Sequence, residues 1–158
     1  MAEPVIETGV KFLKALLLSQ LVMPTSTFDL VSLIEERPNL AEAKVEVALP
    51  AAFVWTGEEA YDHEDGLGRT FIHVVFNVIV MRIVEVDVAR AGRLMLADVI
   101  KALTNFNHLV THTTGSTVLA CYPQKAVTYN GLSGERAGGH VAFEVIARTK
   151  FGDPTSVG

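Results

Sequence analysis

The densest concentration of reactive side chains lies between Gly57 and Gly68 (GEEAYDHEDGLG), where Glu58, Glu59, Asp62, Glu64 and Asp65 set five carboxylates, and His63 one imidazole, within eight positions. Oxygen donors at that density could hold a divalent cation. The spacing of a calcium loop is absent, and like-charge blocks on loops are commonly just hydrated, so a solvated acidic loop is expected and no metal is assigned. His108 and His112 stand four apart, the spacing at which one helix face supplies two zinc ligands. Thr111, Thr113, Thr114 and Gly115 argue against a helix there, and the Glu of a zinc-protease pattern is missing.

Nucleophiles fare no better. Cys121 sits between Ala120 and Tyr122 in an apolar stretch, where a thiol behaves as a small buried hydrophobe, and no activating neighbour can be assigned. Ser116 follows Gly115 without a nucleophile-elbow pattern, and Gly66-Leu67-Gly68 precedes a strand, the reverse of a dinucleotide fingerprint. His73 falls on the less apolar face of a long strand and reads as a structural histidine rather than a general base. No catalytic, cofactor or metal residue is assigned, and the protein is not expected to be an enzyme.

The elements that would carry these residues follow from periodicity. From Glu3 to Val22, the stripe Glu3, Glu7, Lys11, Lys14 opposes Ile6, Val10, Leu13, Leu16, Leu17 and Leu21, which predicts an amphipathic helix stopped by Met23-Pro24. Thr27 to Glu36 reads as a short second helix with Thr27 as cap and Pro38 as terminator. Lys44 to Leu49 alternates polar and apolar as a half-buried strand does, and Ala52 to Trp55 reads as another short strand. The Gly57 to Gly68 loop then leads to Phe71 to Val84, a strand whose even face (Ile72, Val74, Phe76, Val78, Val80) is continuously apolar. At about 3.3 Å per residue it exceeds 45 Å, so a bulge, a bend or projection beyond the subunit is expected. Asp87 caps a helix running to about Asn105, His108 to Ser116 is a loop, and Thr117 to Cys121 resumes a strand that Pro123 interrupts. Gln124 to Tyr129 and His140 to Lys150 form a hairpin, with Val141, Phe143, Val145 and Ala147 facing one side and His140, Glu144 and Arg148 the other. The fold class is therefore α+β: a mostly antiparallel sheet with two main helices on one face, a single domain over residues 1–150, and a mobile tail at 151–158.

Composition sets the outer bounds. A chain of 158 residues holds one core, and 49% apolar with 20% charged residues excludes disorder. The net charge of −5 is the wrong sign for neutralising phosphates, so no specific nucleic-acid binding is expected. One cysteine permits no internal disulfide, and cytoplasmic synthesis fits best. The apolar run from Phe71 to Val86 has 16 residues interrupted by His73, Asn77, Arg82 and Glu85, so no membrane span is expected. Glu3, Glu7, Lys11 and Lys14 around the N-terminal apolar stretch do not make a signal-peptide layout. A mean hydropathy of +0.33 exceeds what one small domain buries and points to association with further subunits.

The order of elements, with a helix ending in Lys101-Ala102-Leu103-Thr104-Asn105-Phe106, the turn Asn105-Phe106-Asn107, and a closing strand Val141-Ala142-Phe143-Glu144-Val145 running to Arg148, resembles the tail terminator (tail completion) proteins of long-tailed bacteriophages. The likeness covers about Glu3 to Lys150 and is one of element order and pattern. It implies a virion protein, assembled in the host cytoplasm, that forms a ring, usually of six copies. Such a ring caps the head-proximal end of the tail tube and meets the connector or neck protein, with DNA passing through its lumen, no active site and no cofactor. The acidic Glu58, Glu59, Asp62, Glu64 and Asp65 have no counterpart in that pattern and are expected to face the lumen or a neighbouring ring. Rival readings are another ring-forming phage neck or tube subunit, and a small α+β enzyme or ligand-binding dimer with a pocket between helix and sheet.

Overall fold

A computed structural model describes residues 3–38, 48–64, 68–104, 118–132 and 136–157. Helix α1 spans Val5–Gln20 and starts behind Pro4, whose φ of −57° suits a helix entrance and whose carbonyl accepts from the amides of Glu7 and Thr8. Of the predicted apolar stripe, Ile6, Val10, Leu13, Leu17 and Leu21 are buried and Leu16 is half-buried; Val5 is buried as well. Lys11 reaches back to Glu3 in front of the helix.

The second helix expected at Thr27 to Glu36 does not form. The backbone amide and hydroxyl of Thr27 donate to Asp98 Oδ2, at 2.8 and 2.5 Å, so its capping groups serve a tertiary contact instead. The amides of Val31 and Ser32 donate to the carbonyl of Pro50, which leads the chain into β1 (Ser32–Ile34), parallel to the next strand. Most of the strand expected at Lys44 to Leu49 lies outside the described residues; its last two, Ala48 and Leu49, are not in a strand.

The larger correction concerns the acidic segment. Ala51–Glu64 is one 14-residue strand, β2, antiparallel to β3 (Arg69–Ile83) from Ala51↔Met81 to Glu64↔Arg69, with one bulge between Thr56 and Glu59. Its outer half looked like a loop because both of its faces meet water, from Thr56 to His63, and nothing imposes a period of two. Helix α2 (Val88–Thr104) follows; the Asp87 carboxylate accepts from the amide of Arg90 at 3.2 Å, the predicted cap. Then β4 (Val118–Leu132) runs through Pro123 by bulging, and β5 (Arg136–Lys150) returns beside it. The segment expected as a mobile tail contains β6 (Asp153–Val157), paired with β5.

The sheet order is β1-β2-β3-β5-β4, with β6 attached to β5. Fold class stands as α+β, one mostly antiparallel sheet with two helices on one face. β3 is not a lone projecting strand, because β2, β4 and β5 have 14, 15 and 15 residues against its 15, and it pairs with β5 over fifteen residues without a register shift. Such strands run about 45–50 Å, whereas helices of 16 and 17 residues reach only about 25 Å.

The main core lies between helices and sheet: Leu13, Leu17, Met95, Val99 and Leu103 meet Ile72, Val74, Phe76, Val78, Val141, Phe143 and Val145. A close approach fixes the α2 contact, since a Cβ on Gly139 would lie 2.6 Å from Leu96 Cδ1 and one on Gly92 2.8 Å from Thr128 Cγ2. A smaller cluster of Ala51, Phe53, Ile79 and Met81, flanked by Leu49, Trp55 and Tyr129, lies on the opposite face. Among the described residues, no helix is long and apolar enough to cross a membrane.

Candidate functional site

Two strand edges stand out. Among the described residues, β2 pairs on its outer side only at Ala51–Phe53, where β1 lies, and its side chains from Thr56 to His63 are exposed on both faces. At the other edge of the sheet, Tyr122 to Val127 of β4 are exposed on both faces as well. Open edges invite pairing with another chain, and proteins that stay alone usually blunt them. Here β4 is interrupted by bulges at Val118/Ala120, Pro123/Lys125 and Tyr129/Leu132, which leave two regular runs, Ala120–Pro123 and the longer Lys125–Tyr129.

The helix-free face carries a polar track across four strands. His73 on β3 has Nε2 at 2.9 Å from Asp62 Oδ2 on β2 and Nδ1 at 2.8 Å from Glu144 Oε1 on β5. Gln124 on β4 donates to the other oxygen of Glu144 at 3.2 Å. Both ring nitrogens thus face carboxylates, and the ring ties β2 to β5 across β3. The strand register is what brings His73 together with Asp62 and Glu144.

Toward the opposite end of the strands, His140 Nε2 lies 2.9 Å from Asn77 Oδ1, and its ring packs on Trp55 at 5.4 Å between centroids. The Arg37 guanidinium covers Trp55 at 5.8 Å. Burial, and then the nearby Arg37 and Lys125 charges, hold the His140 pKa below the usual imidazole range. The neutral ring fits the contact, with a hydrogen on Nε2 donated to Asn77.

Cys121 faces the main core, fully buried, and burial pushes its thiol up to about 12. A thiolate nucleophile is not what this position supplies. A groove of about 440 Å³ runs between the segment after α1 and the end of β3, lined by Met23, Phe28, Val31, Pro50, Arg82 and Ile83 among others. Arg82 donates to the carbonyl of Thr27 at 3.3 Å.

The predicted acidic residues therefore separate. Glu58 is in the β2 bulge; Glu59 accepts from the Tyr61 hydroxyl at 2.6 Å on the helix side of the sheet; Asp62 turns to the other side and holds His73. Glu64 closes β2 opposite Arg69, and Asp65 lies outside the described residues, as do His108, His112 and Ser116. Among the described residues, no three His, Cys, Asp or Glu side chains are grouped so as to hold a metal ion. What the pattern missed is the pairing of His73 with Asp62 and Glu144 and the open edge of β4. The alternation did place His73 off the apolar face and Glu144 opposite the Val141-Phe143-Val145 side, but not their register. No protein-family model matches the chain, and no curated protein matches it.

Proposed function

We propose that this chain is a structural subunit that closes a ring with copies of itself, and that the ring caps the head-proximal end of a phage tail tube and joins it to the connector. One observation carries the self-association: among the described residues, a single long sheet leaves stretches of two different strands, Thr56 to His63 of β2 and Tyr122 to Val127 of β4, unpaired on their outer sides at opposite edges and exposed on both faces. Two unlike surfaces on opposite sides of one molecule are what a head-to-tail ring requires, whereas a two-fold dimer uses one surface twice. The terminator reading adds the order of elements, in which a helix, long strands, a second helix and a closing strand pair follow one another as in that family.

Supporting features are the apolar side chains Met23, Val31, Ile83 and Val86, exposed at one end of the strands, and Tyr61 and Phe151 toward the other. A ring stacked between a tube and a connector presents two such ends. The test is electron microscopy of the purified protein, alone and mixed with tubes polymerised from a tail tube protein. Rings, with density at one end of each tube, are the expected result. A protein that stays monomeric at its highest soluble concentration and leaves both tube ends bare overturns the reading.

A further inference from the structure

We infer that the outer edge of β2 in one copy pairs with the outer edge of β4 in the next, so that neighbouring subunits share one continuous, staggered antiparallel sheet. This rests on the ring-forming reading and names the contact that would build it.

Strand direction comes first. Because each of the pairs β2–β3, β3–β5 and β5–β4 is antiparallel, β2 and β5 run one way and β3 and β4 the other. A copy placed alongside in the same orientation therefore brings its β2 against β4 in antiparallel sense, and the alternation continues unbroken.

Charge selects this pairing over a two-fold pairing of β2 edges. β2 carries Glu58, Glu59 and Asp62 along its open half, while β4 from Val118 to Leu132 carries one charged residue, Lys125. Two β2 edges together would set carboxylates against carboxylates, and like charges directly opposite destabilise a sheet.

Register follows from what is free. The lane beside Ala51–Phe53 is taken by β1, so the run of β2 left open among the described residues is centred near Ala60; the longest regular run of β4, Lys125–Tyr129, is centred on Val127. Setting Ala60 opposite Val127 places Asp62 opposite Lys125. All four are on the helix-free face, as their registers with His73, His140, Phe71 and Ala142 show. A stagger is also implied. Val127 lies level with Ile79 of β3 and Ala60 with His73, a shift of six residues or about 20 Å. One subunit step crosses four strand spacings, about 19 Å. Strands inclined about 45° to the ring axis reconcile the two, close to the tilt of closed barrels.

The experiment mixes two full-length single variants, Ala60→Cys and Val127→Cys, under mild oxidation. Directly opposed residues have Cβ atoms about 4.5–5.5 Å apart, near disulfide range. Cys121 stays buried and serves as the internal control. Disulfide-linked dimers should form in the mixture and in neither variant alone, and replacing Val127→Cys by Tyr122→Cys, five residues out of register, should cut the yield at least about tenfold. Lys125→Glu should raise the concentration for half-assembly several-fold, and Asp62→Lys in the same chain should restore it. Assembly without the 60–127 link, links as frequent at Tyr122, or links with Ala60→Cys alone overturn the edge pairing and leave the ring reading standing. Monomer throughout, with no link, overturns both.

Discussion

Substituting Gly139 by Ala sets two effects of opposite sign against each other, and the geometry decides between them. The residue is not in the left-handed region, so Ala fits the backbone, and restricting the unfolded chain should stabilise by about 0.4–1 kcal/mol. The new Cβ, however, would stand 2.6 Å from Leu96 Cδ1 and 2.7 Å from the Val127 carbonyl oxygen. Leu96 is buried, and the carbonyl belongs to a paired strand, so neither yields without displacing α2 or β4. Overpacking of this kind costs about 1–3 kcal/mol, which against that gain leaves about 0–2.6 kcal/mol of net destabilisation, with about 1–2 kcal/mol at the middle of the range. For a domain of this length that lowers Tm by about 2–8 °C. Gly57→Ala is the control: its Cβ would meet Val75 at an ordinary 3.4 Å, and Tm should rise by about 1–3 °C. Leu96→Ala should cost about 2–5 kcal/mol alone. Because it removes the side chain that the new methyl strikes, the double variant should be less destabilised than the sum by at least about 0.5 kcal/mol. Thermal and urea unfolding of the four proteins measure the cycle. A Gly139→Ala protein as stable as Gly57→Ala, or strict additivity with Leu96→Ala, would refute the packing argument.

The thiol of Cys121, pushed from 9.0 to about 12, should react with a disulfide reagent at pH 8 about a thousandfold more slowly in the folded than in the unfolded protein; labelling at the rate of an exposed thiol would contradict its placement. His140 should make stability depend on pH. Its folded pKa lies below 6.5, so the unfolded chain binds the proton more readily, and this contribution, full above 6.5, is lost as pH falls toward the folded value. Urea midpoints at pH 7.5 and 5.0 should differ more for the natural chain than for His140→Asn, and equal differences would remove the histidine from the account. A further loss in stronger acid should come from Asp153. Hydrogen bonds from the Ser156 and Thr155 hydroxyls and the Thr155 amide depress its pKa from 3.8 to about 2, so its contribution disappears between those values. Asp153→Asn should flatten that last step of an acid titration followed by circular dichroism.

Elements that bury one face were legible in the residue pattern, and elements that bury none were not. The stripe of α1, the cap and arc of α2 and the alternation of Val141, Phe143, Val145 and Ala147 all record contact with one core, and each lies where periodicity put it. The outer half of β2 touches no core on either side, so its residues obey solubility alone and read as a loop. Thr27 misled for another reason: a good capping residue was engaged by Asp98, seventy-one positions away, and a local rule has no access to that distance. The same holds for the polar track. His73, Asp62 and Glu144 are far apart in sequence and were not grouped by any local pattern; only the register of three strands brings the carboxylates within 3 Å of the ring.

The fifteen-residue ladder between β3 and β5, free of bulges, has a mechanical meaning. A pull directed along the strands must strain every rung together, whereas a pull across them opens the rungs singly from one end. The central pair is therefore a stiff tie rod in one direction and a zipper in the other. Whatever load the molecule bears is best borne lengthwise.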